Sequence, residues 1–414
     1  MSSVQPFSLR ARWVLPIAGP PIDGGHVAIV GERIESVGHA RPDGPVEDLG
    51  DVAILPGFVN AHTHLEFSDL AEPLGQPGLP FADWIRAVVA WRRARSDRAD
   101  AAIARGLAEC VASGTTSVGE IATSDWPAPG DSATDVTVFR ELLAFGQAGV
   151  ERQIATARDH LAAKWTERSR PGLSPHAPYS VHPHLFDAAI GLACRENVPV
   201  AMHLAETREE LKFLATLGGP LRTLLEDFGA WSPATLAAGG RPLDYLRRLA
   251  AAPRALVVHG NYLEADEETF LAERRATMSV VYCPRTHAYF GHEPYPLARR
   301  LASGVRMALG TDSRASNPDL SLLAEVKFAA ARHPDVAPRE LLDVATRGGA
   351  LALRLDHEVG TLEPGKLVDL AVVHLPGGTN EPHEQLLAQE STVVQTWCRG
   401  SVRSLGNAYL PVTE

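Results

Sequence analysis

The sequence predicts a (β/α)8 barrel, an α/β TIM-barrel fold, carrying a small composite β-sandwich domain, and three observations lead there. Between residues 53 and 355, eight short apolar, β-like runs alternate with Ala-, Arg- and Leu-rich stretches of helical character. Outside that zone both ends of the chain read as short strands broken by Pro-Pro and Gly-Gly turns. No G-x-G-x-x-G or G-x-x-x-x-G-K-[ST] follows any of the runs, so a doubly wound open sheet, the runner-up, lacks its nucleotide marker.

The eight runs fall at 54–58, 116–121, 136–142, 172–175, 200–204, 255–259, 279–283 and 307–310. Helical stretches lie between most of them, for example 81–95, 100–113 and 319–331, and 216–253 reads as an extended helical insertion with a joint at Gly239-Gly240. Such a barrel usually takes roughly 250 residues before insertions, which this zone satisfies. The N-terminal flank offers strands at 11–15, 25–30 and 33–37, and the C-terminal flank at 367–373 and 393–399, with turns at Glu363-Pro364-Gly365 and Pro376-Gly377-Gly378. The expected division is therefore 1–55 with 359–414 as one composite β-sandwich, and 56–358 as the barrel.

Composition narrows the function. A formal net charge of −11 over 414 residues disfavours nucleic acid or an anionic membrane as the main partner. The run Trp13 to Ala18 is too short and too broken by Pro16 for a signal segment, and no run approaches the ~20 apolar residues of a membrane span. Cys110, Cys194, Cys283 and Cys398 form no C-x-x-C, which argues against a thiolate zinc site or a disulfide framework and leaves the reducing cytoplasm as the expected location. A small-molecule partner remains, and homo-oligomerisation stays open.

In a barrel of this kind the chemistry sits at the C-terminal ends of the strands. Strand one delivers His62 and His64 in PGFVNAHTHLE; two residues apart at a strand end, their imidazoles share a face. Strand four delivers His176, strand five His203 and then Glu206, strand six His259, and strand eight Asp312. Among 16 histidines one such placement would be unremarkable, but five strand ends that each open on His or Asp form a pattern. Imidazole nitrogens with one carboxylate suit Zn2+, and Fe2+ or Mn2+ also fit. A cation so held lowers the pKa of water towards about 7. Glu206, close to His203, can take that water's proton and pass it on. From the residues alone, His259 serves either as a further ligand or as a hydrogen-bonding partner.

Taken together, PGFVNAHTHLE, HAPYSV, HLAE, VHG and ALGTDSRASN resemble the amidohydrolase superfamily, in its branch of cytosine, guanine and S-adenosylhomocysteine deaminases and triazine hydrolases. The resemblance runs through nearly the whole chain, and EPGKLVDLAVV with the later VQTWCRG looks like the second half of that family's composite β domain. It implies that His62, His64, His203 and Asp312 hold one divalent metal ion, Zn2+ foremost. It further implies that Glu206 shuttles the proton, that His259 orients water without binding the metal, and that Asp312 also accepts a proton. Binuclear relatives bridge two ions with a lysine after strand four; here His176 stands there with no lysine near, which implies a single ion. The reaction implied is hydrolysis of a C–N bond at an amino-substituted N-heterocycle, purine- or nucleoside-like, with release of ammonia. The alternatives are hydrolysis of a ring amide or of a chloro or alkylamino substituent, and, more distantly, a non-catalytic scaffold.

HTHLEFS with the later FADWIRAVV is similar to aminodeoxyfutalosine deaminases, which brings Glu66 forward as a substrate contact alongside His176. A departure follows strand seven, where relatives usually show Cys-Pro-x-Ser-Asn and this chain reads CPRTHAYFGH. Arg285 and His287, with His292, thereby become rim candidates, Arg285 for a carboxylate or phosphate. Three features read as structural: Asn317-Pro318 as a helix cap, the stripe Trp84, Ile85, Val88 and Trp91 as packing, and the acidic cluster Glu264 to Glu268 as a solvated helix start.

Overall fold

The structure is a computed structural model that describes residues 6–40, 44–95, 99–127, 133–231, 238–377 and 381–404. Eight parallel strands follow one another in chain order: β1 (Phe58–Thr63), β2 (Thr115–Ala122), β3 (Asp135–Leu142), β4 (Ser169–Pro175), β5 (Val200–Leu204), β6 (Ala255–His259), β7 (Met278–Tyr282) and β8 (Met307–Leu309). Almost every residue in them is buried, as expected of strands covered on both faces. A parallel bridge between Thr63 and Asp312 joins the first strand to the segment after the last and closes the barrel.

The expected first strand, 54–58, is two strands. Val52–Pro56 pairs with Leu370–His374 in the terminal sheet, and Gly57 then hands the chain to β1, which runs on through His62. An uninterrupted apolar run hides this change of sheet, because both strands are buried. The other seven barrel strands lie within a few residues of expectation.

Both chain ends build the second unit. One sheet has six strands in the order Ser401–Ser404, Thr392–Cys398, Leu370–His374, Val52–Pro56, Trp13–Val14 and Ile22–Asp23. The other has four, in the order Arg33–Gly38, His26–Val30, Phe7–Arg10 and Val46–Asp48. Leu9, Val27, Ile29, Leu370, Val372 and Trp397 pack in one apolar cluster drawn from both sheets. Gly378 of one expected turn, and residues 1–5 and 405–414 of the expected division, lie outside the described residues.

Other readings shift in detail. The helix expected at 319–331 runs Leu322–Arg332 and is capped by Ser321, whose side chain accepts from the Ala324 N–H. Asn317 is instead a buried tie, donating to the Thr311 carbonyl at 2.7 Å and to Glu325 at 2.5 Å. The acidic cluster is only partly solvated: Glu267 accepts from the Leu243 and Glu264 N–H groups, and Glu268 pairs at 2.8 Å with the fully buried Arg300. The 216–253 insertion holds the helices Pro220–Asp227 and Pro242–Leu249, with 232–237 outside the described residues.

Gly310 makes the closure possible. A Cβ there would lie 2.8 Å from the His62 carbonyl oxygen and 2.9 Å from the His62 Cβ. Gly310→Ala should therefore push β8 away from β1 and destabilise the fold by about 1–3 kcal/mol. Denaturant unfolding tests this, and an unchanged midpoint would show that the closure has slack.

Candidate active site

The closing strands are also the ones that present the site. The His62 carbonyl accepts from the Thr311 and Asp312 N–H groups, each at 3.1 Å. Asn60 joins the same strands, donating to the Thr311 hydroxyl at 2.8 Å while its own oxygen accepts from the Thr311 N–H at 3.1 Å. The Thr63 hydroxyl donates to the Asp312 carbonyl at 2.8 Å. On the far side of His64, the buried Glu120 carboxylate accepts the Leu65 N–H with both oxygens, at 2.9 and 3.1 Å.

The side chains converge as their strand ends require. One nitrogen each from His62, His64 and His203 lies within 4.8 Å of the others, and the same holds for His62, His259 and one Asp312 oxygen. Asp312 divides its carboxylate: Oδ1 is 3.6 Å from His62 Nε2 and 3.7 Å from His64 Nε2, whereas Oδ2 faces His259 Nε2 at 4.0 Å. His203 Nδ1 is 3.2 Å from the His176 carbonyl, which can only accept, so Nδ1 carries the proton and Nε2 is left as a free base.

The donors fit a cation. His62 is completely buried, and neither of its ring nitrogens has a hydrogen-bond partner among the described residues; His64 Nδ1 is in the same position. Buried polar nitrogens left unpaired are costly, and a metal ion would take up the free lone pairs. Burial, then the neighbouring histidines, push His64 and His203 well below the ordinary imidazole range, so both rings are neutral, the form that ligates. Burial opposes ionisation of Asp312, yet His62, His259 and His64 together hold its carboxyl well below the usual range.

Glu206 stands on the other side of the cluster, with Oε1 3.4 Å from His259 Nε2. Burial first, then the charges of Asp312 and Glu210, raise its proton affinity well above that of a free carboxylate. His259 is pushed down to about 3, chiefly by burial, and is neutral near pH 7. Ala205, His259 and Asp312 all have left-handed backbones, with φ of 54°, 66° and 57°. Non-glycine residues hold such conformations at about 1–3 kcal/mol each, and here all three lie where strands turn into the site.

A cavity of about 820 Å3 opens outward from these groups. Beyond His176 and Glu141 its walls include Trp84, Ile85, Val88, Leu224 and Trp231. The stripe expected to be packing does pack, Val88 and Trp91 with Phe67 and Trp84 and Ile85 beside Phe81, and Trp84, Ile85 and Val88 line the cavity as well. His176 lines the cavity as expected, with Nδ1 2.6 Å from the Ser180 hydroxyl.

The remaining candidates have other partners. Glu66 is bound by Arg92 at 2.5 Å and by the Thr123 hydroxyl at 3.3 Å, and it is Arg92 that reaches the cavity. Arg285 is saturated by Glu325 at 2.6 Å and Asp319 at 2.7 Å, which leaves no free guanidinium for a substrate anion. His287 is buried edge-on between the Tyr282 and Tyr295 rings, and His292 bonds the Tyr262 hydroxyl at 3.0 Å. Asn60 and Glu120 are single polar residues in apolar runs and Glu210 is one of three glutamates in ETREE; only Asn60, alternating with the histidines in NAHTH, carries a signal.

His203→Ala should lower the amount of divalent metal that the chain retains. Elemental analysis after gel filtration reads this directly, and undiminished metal would remove His203 from the ligand set.

Comparison with known proteins agrees with this geometry. Residues 53–403 match the model of the amidohydrolase family. A 5-methylthioadenosine/S-adenosylhomocysteine deaminase of Moorella thermoacetica is 31% identical over 396 residues, 89% of this chain and 85% of that protein. An aminodeoxyfutalosine deaminase of Deinococcus radiodurans is 33% identical over 347 residues, 78% and 80% of the two chains. Among solved structures, the Helicobacter pylori aminofutalosine deaminase in complex with methylthio-coformycin superposes with a TM-score of 0.84 at 23% identity, covering 96% of this chain and 99% of that one. A zinc-bound adenosine deaminase from Xanthomonas campestris gives 0.78 at 24%, covering 98% and 94%. With a family match over most of its length and the converging strand-end residues that such a barrel needs, the chain belongs to the amidohydrolase family.

Proposed function

We propose that this protein is a metal-dependent aminohydrolase that deaminates an amino-substituted, nucleoside-like purine. The observation that carries the reading is the pairing of two environments at the inner end of one cavity. Neutral imidazoles and an ionised Asp312 form one side, and Glu206, with a raised proton affinity, stands 3.4 Å from His259 on the other. Relatives named as deaminases at 31% and 33% identity support the reaction class.

In this reading His62, His64, His203 and Asp312 would hold one divalent cation, Zn2+, which would make water nucleophilic at neutral pH. None of the four lysines lines the cavity, in keeping with a single ion. Glu206 delivers a proton to the ring nitrogen beside the amino-bearing carbon and so makes that carbon electrophilic. His259, facing Oδ2 of Asp312 rather than Oδ1, hydrogen-bonds the oxygen that adds to the carbon. Asp312 Oδ2 accepts one proton of the attacking water and passes it to the amino group, which leaves as ammonia, while the oxygen's remaining proton returns to Glu206, so that one water is consumed per ammonia released. His176 meets the heterocycle or its sugar further out. The barrel carries the catalytic residues, and the two terminal sheets form the unit beside it. No helix among the described residues is long and apolar enough to cross a membrane, and four cysteines without a disulfide suit a reducing cytoplasm.

Within this class we favour aminodeoxyfutalosine as substrate, on the HTHLEFS and FADWIRAVV segments and the Deinococcus relative. Ammonia release by the zinc-loaded protein should be seen with aminodeoxyfutalosine, 5-methylthioadenosine or S-adenosylhomocysteine, and should fall about 10²- to 10⁴-fold in Glu206→Gln. No release from any of the three, or equal release by the variant, sinks the proposal.

A further inference from the structure

We propose that Glu210 is a positioning residue for this reaction, fixing the backbone from which Glu206 reaches the substrate. The inference rests on the role assigned to Glu206 above. Thr207 caps the helix Arg208–Thr216, its hydroxyl accepting from the Glu210 N–H at 3.1 Å. In an ordinary capping box the glutamate at the third helical position returns to the N–H of the cap itself. Glu210 reaches further back: Oε1 accepts from the Ala205 N–H and Oε2 from the Glu206 N–H, both at 2.9 Å.

Those two N–H groups flank the left-handed turn at Ala205 that takes the chain out of β5. The carbonyls of the same residues are gripped from the neighbouring strand end, Ala205 by the Tyr262 N–H at 3.0 Å and Glu206 by the Asn261 amide at 2.9 Å. All four backbone polar groups of Ala205 and Glu206 are therefore bound, two of them by one fully buried carboxylate. Glu210 is absent from the cavity wall, so it acts on substrate only through Glu206.

A carboxylate is required because two adjacent N–H groups need two acceptors. Glutamine has the same shape but one acceptor, and its amide hydrogens would face a peptide N–H. Proton transfer depends steeply on distance and angle, so a small displacement of Glu206 lowers turnover while ground-state binding, set by the cavity walls, is spared.

The test is a double-mutant cycle of Glu206→Gln and Glu210→Gln, read as ammonia release in single turnovers with enzyme in excess, together with metal content. Glu210→Gln alone should lower kcat about 10- to 100-fold, leave KM within about three-fold, and retain the metal. In the Glu206→Gln background it should lower the rate no further. An unchanged kcat, a loss that tracks metal loss, or an equal loss in both backgrounds overturns the proposal, since each assigns Glu210 a role independent of Glu206. A Glu206→Gln variant as active as the parent refutes the role of Glu206 itself, an outcome separate from the other three.

Discussion

Two hydrogen bonds into the carbonyl of His62, from the N–H groups of Thr311 and Asp312, close the barrel and assemble its site in one contact. Strand closure brings the first and last strand ends together, and those ends carry three of the candidate metal ligands, His62, His64 and Asp312. Gly310 allows the approach, Asn60 and Thr63 pin it with side-chain bonds, and Glu120 fixes the chain just after His64. The ligand geometry is thus a consequence of the fold's own hydrogen bonding rather than of a flexible loop closing on an ion. Such preorganisation keeps a site within the narrow tolerance that catalysis requires.

The site's electrostatics follow from the same burial. Burial pushes His64 and His203 towards the neutral form, and the histidines facing Asp312, His62 first, lower its proton affinity despite its burial. Glu206 shares the burial, which with the charges of Asp312 and Glu210 pushes it in the opposite direction. Two carboxylates a few ångströms apart therefore hold opposite protonation preferences, the arrangement expected when one side of a site binds a cation and the other carries a proton. Outside it, the helices Phe81–Ala94 and Pro220–Asp227 turn apolar side chains towards the cavity.

Legibility in the sequence tracked how local each signal was. His62, His64, His203, His259 and Asp312 were visible because each ends or follows an apolar run, and in a parallel barrel all strand ends of one kind share a face. Glu66, Arg285 and His287 were drawn in by proximity to those motifs, but proximity along the chain does not say which partner a side chain takes. Arg92, 26 residues on, claims Glu66, and Asp319 and Glu325 from a different element claim Arg285. Trp84, Ile85 and Val88 pack as their helical spacing suggests, but an apolar helix face does not say that it also borders a cavity.

The sequence by itself determined the barrel, the composite β unit at the two ends and the residues at the strand ends, since hydrophobic periodicity and the first polar residue after it are properties of single segments. Tertiary structure alone decided where one apolar run splits between two sheets, and which charges are spent on each other rather than on a ligand. It also brought Asn261 and Tyr262, from the end of the next strand, onto the carbonyls of Glu206 and Ala205. Those outcomes depend on distances between segments remote in the chain, and hydrogen bonding and burial act on such distances only once the chain has folded.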